Sequence, residues 1–255
     1  MKYGVCGNPD MARVAAKAGY DFMEWTVSDV LKPREPVAVF QSVHGLIQSA
    51  ALPYPVLNCF VPGDLKLTGP EVDRRALQDF VTTVFERAGT VGVEVIVFGS
   101  GGARRIPDGF DRRLAQDQLI WFGSMLAPLA QDHGVTVVLE PLNRGECNTL
   151  NTCAECAELV GAIAHPAFRL LVDAYHMMKD GDPVSDITRH AGLLRHTHIA
   201  TTTNRLPPGA EPCDFAPFFT ALKAGGYDGR VSIEAKVTDP ALELPAALAT
   251  MRSLS

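Results

Sequence analysis

The sequence predicts a single-domain α/β protein, a closed (β/α)8 barrel of the TIM type spanning residues 1–255. Three observations lead there. Eight short β-like runs alternate with helix-like stretches to the last residues, the pattern of successive βαβ units around a parallel sheet. The 255 residues shared among eight units give about 32 each, close to the size of one strand, one helix and their loops in such a barrel. No low-complexity linker divides the chain, and 47% hydrophobic content is enough for one sizeable core.

The β-like runs, taken in order, are Tyr3–Gly7, Asp21–Val27, Val56–Val61, Glu94–Gly99, Thr136–Leu142, Arg169–Tyr175, Leu194–Ala200 and Arg230–Ala235. Between the third and fourth, Pro70–Ala88 spaces Val72, Ala76, Leu77, Phe80, Val81 and Val84 at a helical period. Asp111–Ala130 and Thr152–Ala164 read the same way, and Asp214–Ala224 opens on an aspartate suited to capping a helix. A doubly wound open sheet would need a glycine-rich dinucleotide loop, and the one candidate is GSGGARR at 99–105. It fails on spacing: position 104 is Arg, and the loop is expected to run through Pro107 before any helix begins.

Composition removes several function classes. With 23 basic against 29 acidic residues, a net charge of −6 and no basic run, nucleic acid is not an expected partner. MKYGVCGNPD lacks the apolar core of a signal peptide, and no apolar run reaches the ~18 residues that span a bilayer. A cytoplasmic protein without membrane contact is expected. Its six cysteines are then reduced thiols. Cys153 and Cys156 form a CAEC pair, read as neighbours on one helix face because a zinc site would need further Cys or His ligands. Oligomeric state, a homo-oligomer included, stays open.

The informative stretch is VTVVLEPLNRGECN at 135–148, a buried-looking strand that finishes on Glu140. A carboxylate cannot stay unpaired in an apolar interior, so it needs solvent, a cation or a metal. The next three strands also end on potential ligands, Asp173 in LLVD, His198 in LRHTH and Glu234 in VSIE, at intervals of 33, 25 and 36 residues. Strand C-termini of a parallel barrel share one face, so the four side chains converge there. Singly, each acid could cap a loop or pair with an arginine; four in succession favour one divalent ion, and the oxygen-rich set suits Mn2+, Mg2+ or Co2+. His196 has the parity of His198 but lies one layer deeper, and is expected to be a hydrogen-bonded core histidine. His176, just past Asp173, is placed to face a substrate, whereas His44, His133, His165 and His190 read as surface residues. Cys6 and Glu24 would either line the pocket or simply pack.

At EPLNRGE, NT at 151–152, DAYH, HTHIA, NR at 204–205 and SIE the sequence resembles the xylose isomerase-like barrel superfamily, in particular its ketose 3-epimerases of the D-tagatose and D-psicose type and their sugar phosphate isomerase/epimerase relatives. The resemblance covers nearly the whole chain. It implies one divalent metal per chain held by Glu140, Asp173, His198 and Glu234, with Glu146, His176 and Arg205 on the oxygens of a small carbohydrate substrate. It also implies an isomerase or epimerase working by proton transfer through a metal-stabilised enediolate, with Glu140 and Glu234 as the proton-transfer pair. One carboxylate on each face of the sugar would epimerise, whereas a single carboxylate serving both steps would interconvert aldose and ketose. A keto-sugar or inosose dehydratase on the same barrel is the alternative. The superfamily's endonucleases need histidines on the third and fourth strands, and VLNCF and VIVFG have none. Two departures stand out. Arg205 follows His198 by seven residues where such epimerases have six, and GSGGARR replaces a Trp-Pro segment that contacts the sugar. Arg104 and Arg105 are expected as a solvated loop pair, or else as donors to an anionic group.

Overall fold

In the computed structural model, which describes residues 1–255, eight parallel strands close into a barrel in sequence order. They are β1 (Lys2–Cys6), β2 (Phe22–Thr26), β3 (Val56–Asn58), β4 (Val95–Phe98), β5 (Thr136–Leu139), β6 (Phe168–Asp173), β7 (Leu194–Ile199) and β8 (Arg230–Ile233). All eight expected strands are present. Several β-like runs overshoot the ladder because apolar residues beyond it, such as Phe60, Val61 and Leu142, pack beneath the loops.

The helices are α1 (Pro9–Ala18), α2 (Val27–Val30), α3 (Val37–Gln48), α4 (Arg74–Val91), α5 (Gly101–Arg104), α6 (Arg112–Asp132), α7 (Cys153–Ile163), α8 (Ala174–Asp180), α9 (Ser185–Arg189), α10 (Ala216–Ala224) and α11 (Pro240–Leu254). None is long and apolar enough to cross a membrane. Asp111 caps α6 and Thr152 caps α7, as their sequences anticipate. α4 begins later than its apolar period, because Asp73 accepts from the N–H groups of Arg75 and Ala76 and sets the start there. Asp214 does not cap α10 from the cap position, which Phe215 occupies; its carboxylate instead accepts from Ala216 N one residue out of register. The segment after β4 also departs from the expected loop, since Gly101–Arg104 winds into one helical turn, α5.

Inside the barrel, Phe22, Val56, Val95, Val97, Val138 and Leu171 form a closed apolar floor. Side chains alternate along a strand, so the residue two positions after a floor residue faces the barrel axis one layer higher. Those residues include Glu24, Asn58, Gly99, Glu140 and Asp173. β7 carries an irregularity: Leu170 pairs with Leu194, but Leu171 pairs with His196, and this one-residue slip sets His198 opposite Asp173.

Candidate active site

Above the floor lies a cavity of about 630 Å³ whose wall includes Glu140, Glu146, His176, Arg205 and Glu234. Ligand atoms of Glu140, Asp173, His176 and Glu234 all lie within 4.8 Å of one another. His198 stands against the same group, with Nδ1 2.9 Å from Glu140 Oε1 and 3.6 Å from Glu234 Oε2. The four strand-end side chains thus meet, and His176 joins them from the first turn of α8, buried and not on solvent. β3 and β4 bring Asn58 and Gly99 to this face and no imidazole.

The electrostatics are those of too many carboxylates in too little water. Burial, together with Glu140 and Asp173 nearby, pushes Glu234 up to about 8 despite the opposing pull of His198 and Arg205. Asp173 is raised by burial and by Glu140, against the attraction of His176. Burial acts the same way on Glu140, but the hydrogen bond and charge of His198, then His176 and Arg104, hold it below the usual range. Asp173 Oδ2 and His176 Nε2 are 3.5 Å apart, and each is buried without a hydrogen-bond partner. A buried carboxylate oxygen with no partner is costly in an apolar protein interior and natural beside a cation, so the donor set fits a divalent ion bound among oxygens and one imidazole.

Sequence reasoning left Glu24 undecided, and its place is now clear. It is 0% exposed, and each oxygen accepts from one histidine: Oε2 from His196 Nε2 and Oε1 from His198 Nε2, both at 2.9 Å. His196 is therefore the hydrogen-bonded core residue its depth suggested. Burial disfavours both charges, but the pairing overrides it: Glu24 is held well below the carboxylate range and His198 well above the imidazole range. The signal was a lone acid in the apolar run FMEWT with the parity of Phe22.

Arg104 corrects the expectation of a solvated pair. The α5 turn folds it inward to 0% exposure, where Nη1 donates to Phe98 O at 3.3 Å and Nη2 to Leu150 O at 3.2 Å. It ties the end of β4 to the loop after β5. Arg105 remains exposed and donates to Glu146 O at 2.8 Å. The glycine before this turn is also required: a Cβ on Gly99 would overlap the Glu140 carboxylate. The CAEC pair is structural, as read. Cys153 and Cys156 are buried on α7, and burial pushes the Cys153 thiol up to about 12.

Arg205 donates through Nη2 to Glu234 Oε2, lies 3.4 Å from Glu146 Oε1 through Nη1, and stacks 4.5 Å from the Tyr175 ring centroid. The extra loop residue is absorbed in a turn: Arg205 N donates to Thr201 O, Arg205 itself takes a left-handed φ of 56°, and Glu211 gathers Thr201 and Asn204. Glu146 accepts from Asn143 Nδ2 at 2.9 Å. His176 Nδ1 accepts from Asn143 N at 3.1 Å, so the neutral ring carries its proton on Nε2, the atom that faces the cluster.

A family model described as the xylose isomerase-like TIM barrel matches residues 12–254. The chain belongs to that family. Within it, the chain is 32% identical over 146 residues to the 3-dehydro-D-guloside 4-epimerase of Escherichia coli (strain K12), covering 56% of this chain and 54% of that protein. It is 37% identical over 110 residues to the ketose 3-epimerase of Arthrobacter globiformis, covering 43% of this chain and 38% of that protein. The matches thus span about half, or less, of the length of these relatives. The fold superposes on D-psicose 3-epimerase from Clostridium cellulolyticum H10, solved with D-tagatose, with a TM-score of 0.87 at 22% identity over 100% of this chain and 99% of that one.

Proposed function

We propose that the protein is a divalent-metal-dependent sugar epimerase that moves a proton at the carbon beside a ketone. The observation that carries this reading is the pair Glu140 and Glu234, on strands three apart around one cavity, with His198 Nδ1 within 2.9 and 3.6 Å of their oxygens. The relatives named as a ketose 3-epimerase and a 3-dehydro-D-guloside 4-epimerase support the same class of reaction.

Glu140, Asp173, His198 and Glu234 would hold the ion. Hydrogen bonding separates the two imidazoles by role. Glu24 accepts the Nε2 proton of His198, leaving Nδ1 as the lone pair for a metal. His176 has its lone pair on Asn143 N–H, so its Nε2–H can only donate, which suits a substrate oxygen. Bound there, the ion would polarise the substrate carbonyl and stabilise negative charge as the α-proton leaves. Glu140 takes the proton from one face of the sugar, and Glu234, steered by Arg205, returns one to the other face, which inverts the carbon. Glu146 accepts from a substrate hydroxyl. The test is proton NMR of Mn2+-loaded protein with ketoses and keto-glycosides in D2O: deuterium should enter beside the carbonyl and the epimer should accumulate. Exchange without epimer would indicate isomerisation or dehydration; no exchange across the panel would refute the reading.

A further inference from the structure

We infer that the cavity contains, beside the reacting sugar, a distal subsite for a second and uncharged sugar ring, walled by Lys32 and Glu35 of the loop between α2 and α3. The substrate would then be a keto-glycoside in preference to a free or phosphorylated monosaccharide. This rests on the epimerase reading and sharpens it.

Size is the first argument. Cavities of about 300–1,000 Å³ enclose ligands of drug size, roughly twice the atoms of one hexose, and this cavity of about 630 Å³ falls in the middle of that range. It runs without a break from Glu140 and Glu234 to Lys32, Arg34 and Glu35.

The far wall is held in place. Arg87, on α4, donates through Nη1 to Leu31 O and Lys32 O and through Nη2 to Glu35 O, with its guanidinium 5.2 Å from the Phe40 ring centroid. It has no carboxylate partner; its donors go to one loop. Lys32 takes a left-handed φ of 46°, which a side-chain-bearing residue keeps only where its surroundings over-determine it. Arg87 supplies that constraint and fixes the loop between the buried Leu31, which packs into the core, and Glu35.

Charge decides what the wall accepts. Lys32 is 28% exposed, and its nearest acid is Asp29 at 3.8 Å, whose other oxygen is occupied by the Thr26 hydroxyl. Glu35 is exposed and lines the same cavity. A cation and an anion on one cavity wall suit hydroxyls, which both accept and donate, and disfavour a phosphate, which wants several cations. The neighbouring arginines do not supply them: Arg34 is paired with Asp64 at 2.7 Å, and Arg104 and Arg105 are bound to carbonyls.

The test compares Mn2+-loaded protein on D-fructose, D-fructose 6-phosphate, methyl 3-keto-D-glucoside and 3-keto-trehalose, by deuterium exchange and by calorimetric titration. The two-ring substrate should exceed the one-ring glycoside in kcat/KM by about tenfold or more. Lys32→Gly, which suits the left-handed backbone, and Glu35→Ala on the exposed rim should each bring that ratio toward one, mainly through KM. An equal kcat/KM for one and two rings, or an advantage that survives both variants, overturns the subsite. A preference for the phosphate over D-fructose that vanishes in Lys32→Gly overturns it in favour of an anion site. If no sugar exchanges deuterium, calorimetry still decides: tighter two-ring binding lost in the variants upholds the subsite while the epimerase reading falls, and equal binding removes both.

Discussion

The strands β1–β4 and β5–β8 reach the same cavity and bring different chemistry to it. β5–β8 end on Glu140, Asp173, His198 and Glu234, four groups that carry charge or lone pairs into a single cluster. β1–β4 end on Cys6, Asn58 and Gly99, and their one ionised contribution, Glu24, has both oxygens taken up by the histidines of β7. In the proposed reaction one half therefore supplies the reacting groups, while the other supports them, leaves them room and frames the substrate. The lesson is that a barrel with eight-fold architecture can be two-fold in its chemistry, with a seam where Arg104 ties β4 to the loop after β5.

The largest effect should come from the second half. Glu140→Gln or Glu234→Gln should cut deuterium exchange by about 10²–10⁴-fold, and chelation of the metal should abolish it. Wild-type exchange in either variant would dissolve the division. Next, and on the first half, Glu24→Ala should weaken Mn2+ binding by about 10–100-fold, read by the Mn2+ EPR signal in a titration. Affinity unchanged within experimental error would return Glu24 to a packing role. At the seam, Arg104→Met strips two buried carbonyls of a donor and should lower unfolding free energy by about 1–3 kcal/mol, measured by denaturant melts. Smallest should be Asn58→Ala. Its Nδ2 donates to Cys6 at 3.4 Å and its Oδ1 is buried at the cavity wall without a partner, so its loss should raise KM by about two- to tenfold with kcat little changed. A fall in kcat with constant KM would move Asn58 into the chemistry.

The same division explains what could be read beforehand. All eight strands were legible because a parallel barrel buries both faces of its strands, which then appear as apolar runs between helical periods. The convergence of the four charged strand ends in the second half was legible because four such ends in succession are harder to explain by loop caps or separate ion pairs than one. The supporting half was opaque. Glu24 looks like any acid near a strand end until its two histidine partners, 172 and 174 residues away, are seen beside it. Arg104 looked solvated because a glycine-rich segment gives no hint that it will wind into a turn and carry the next side chain inward. The loop Leu31–Glu35 has no periodicity at all, and its clamp, Arg87, reads as one more polar position on an amphipathic helix.

Gly99 bears on how this barrel could be given a new substrate. Because a single added carbon there would displace the Glu140 carboxylate, substitution at position 99 should cost the proposed activity whatever the target sugar, and a library randomised there should return mostly glycine among its active clones. If the proposed subsite holds, variation enters instead at the rim, through the Lys32–Glu35 loop, and selectivity can be retuned at the mouth of the cavity while its depth stays frozen.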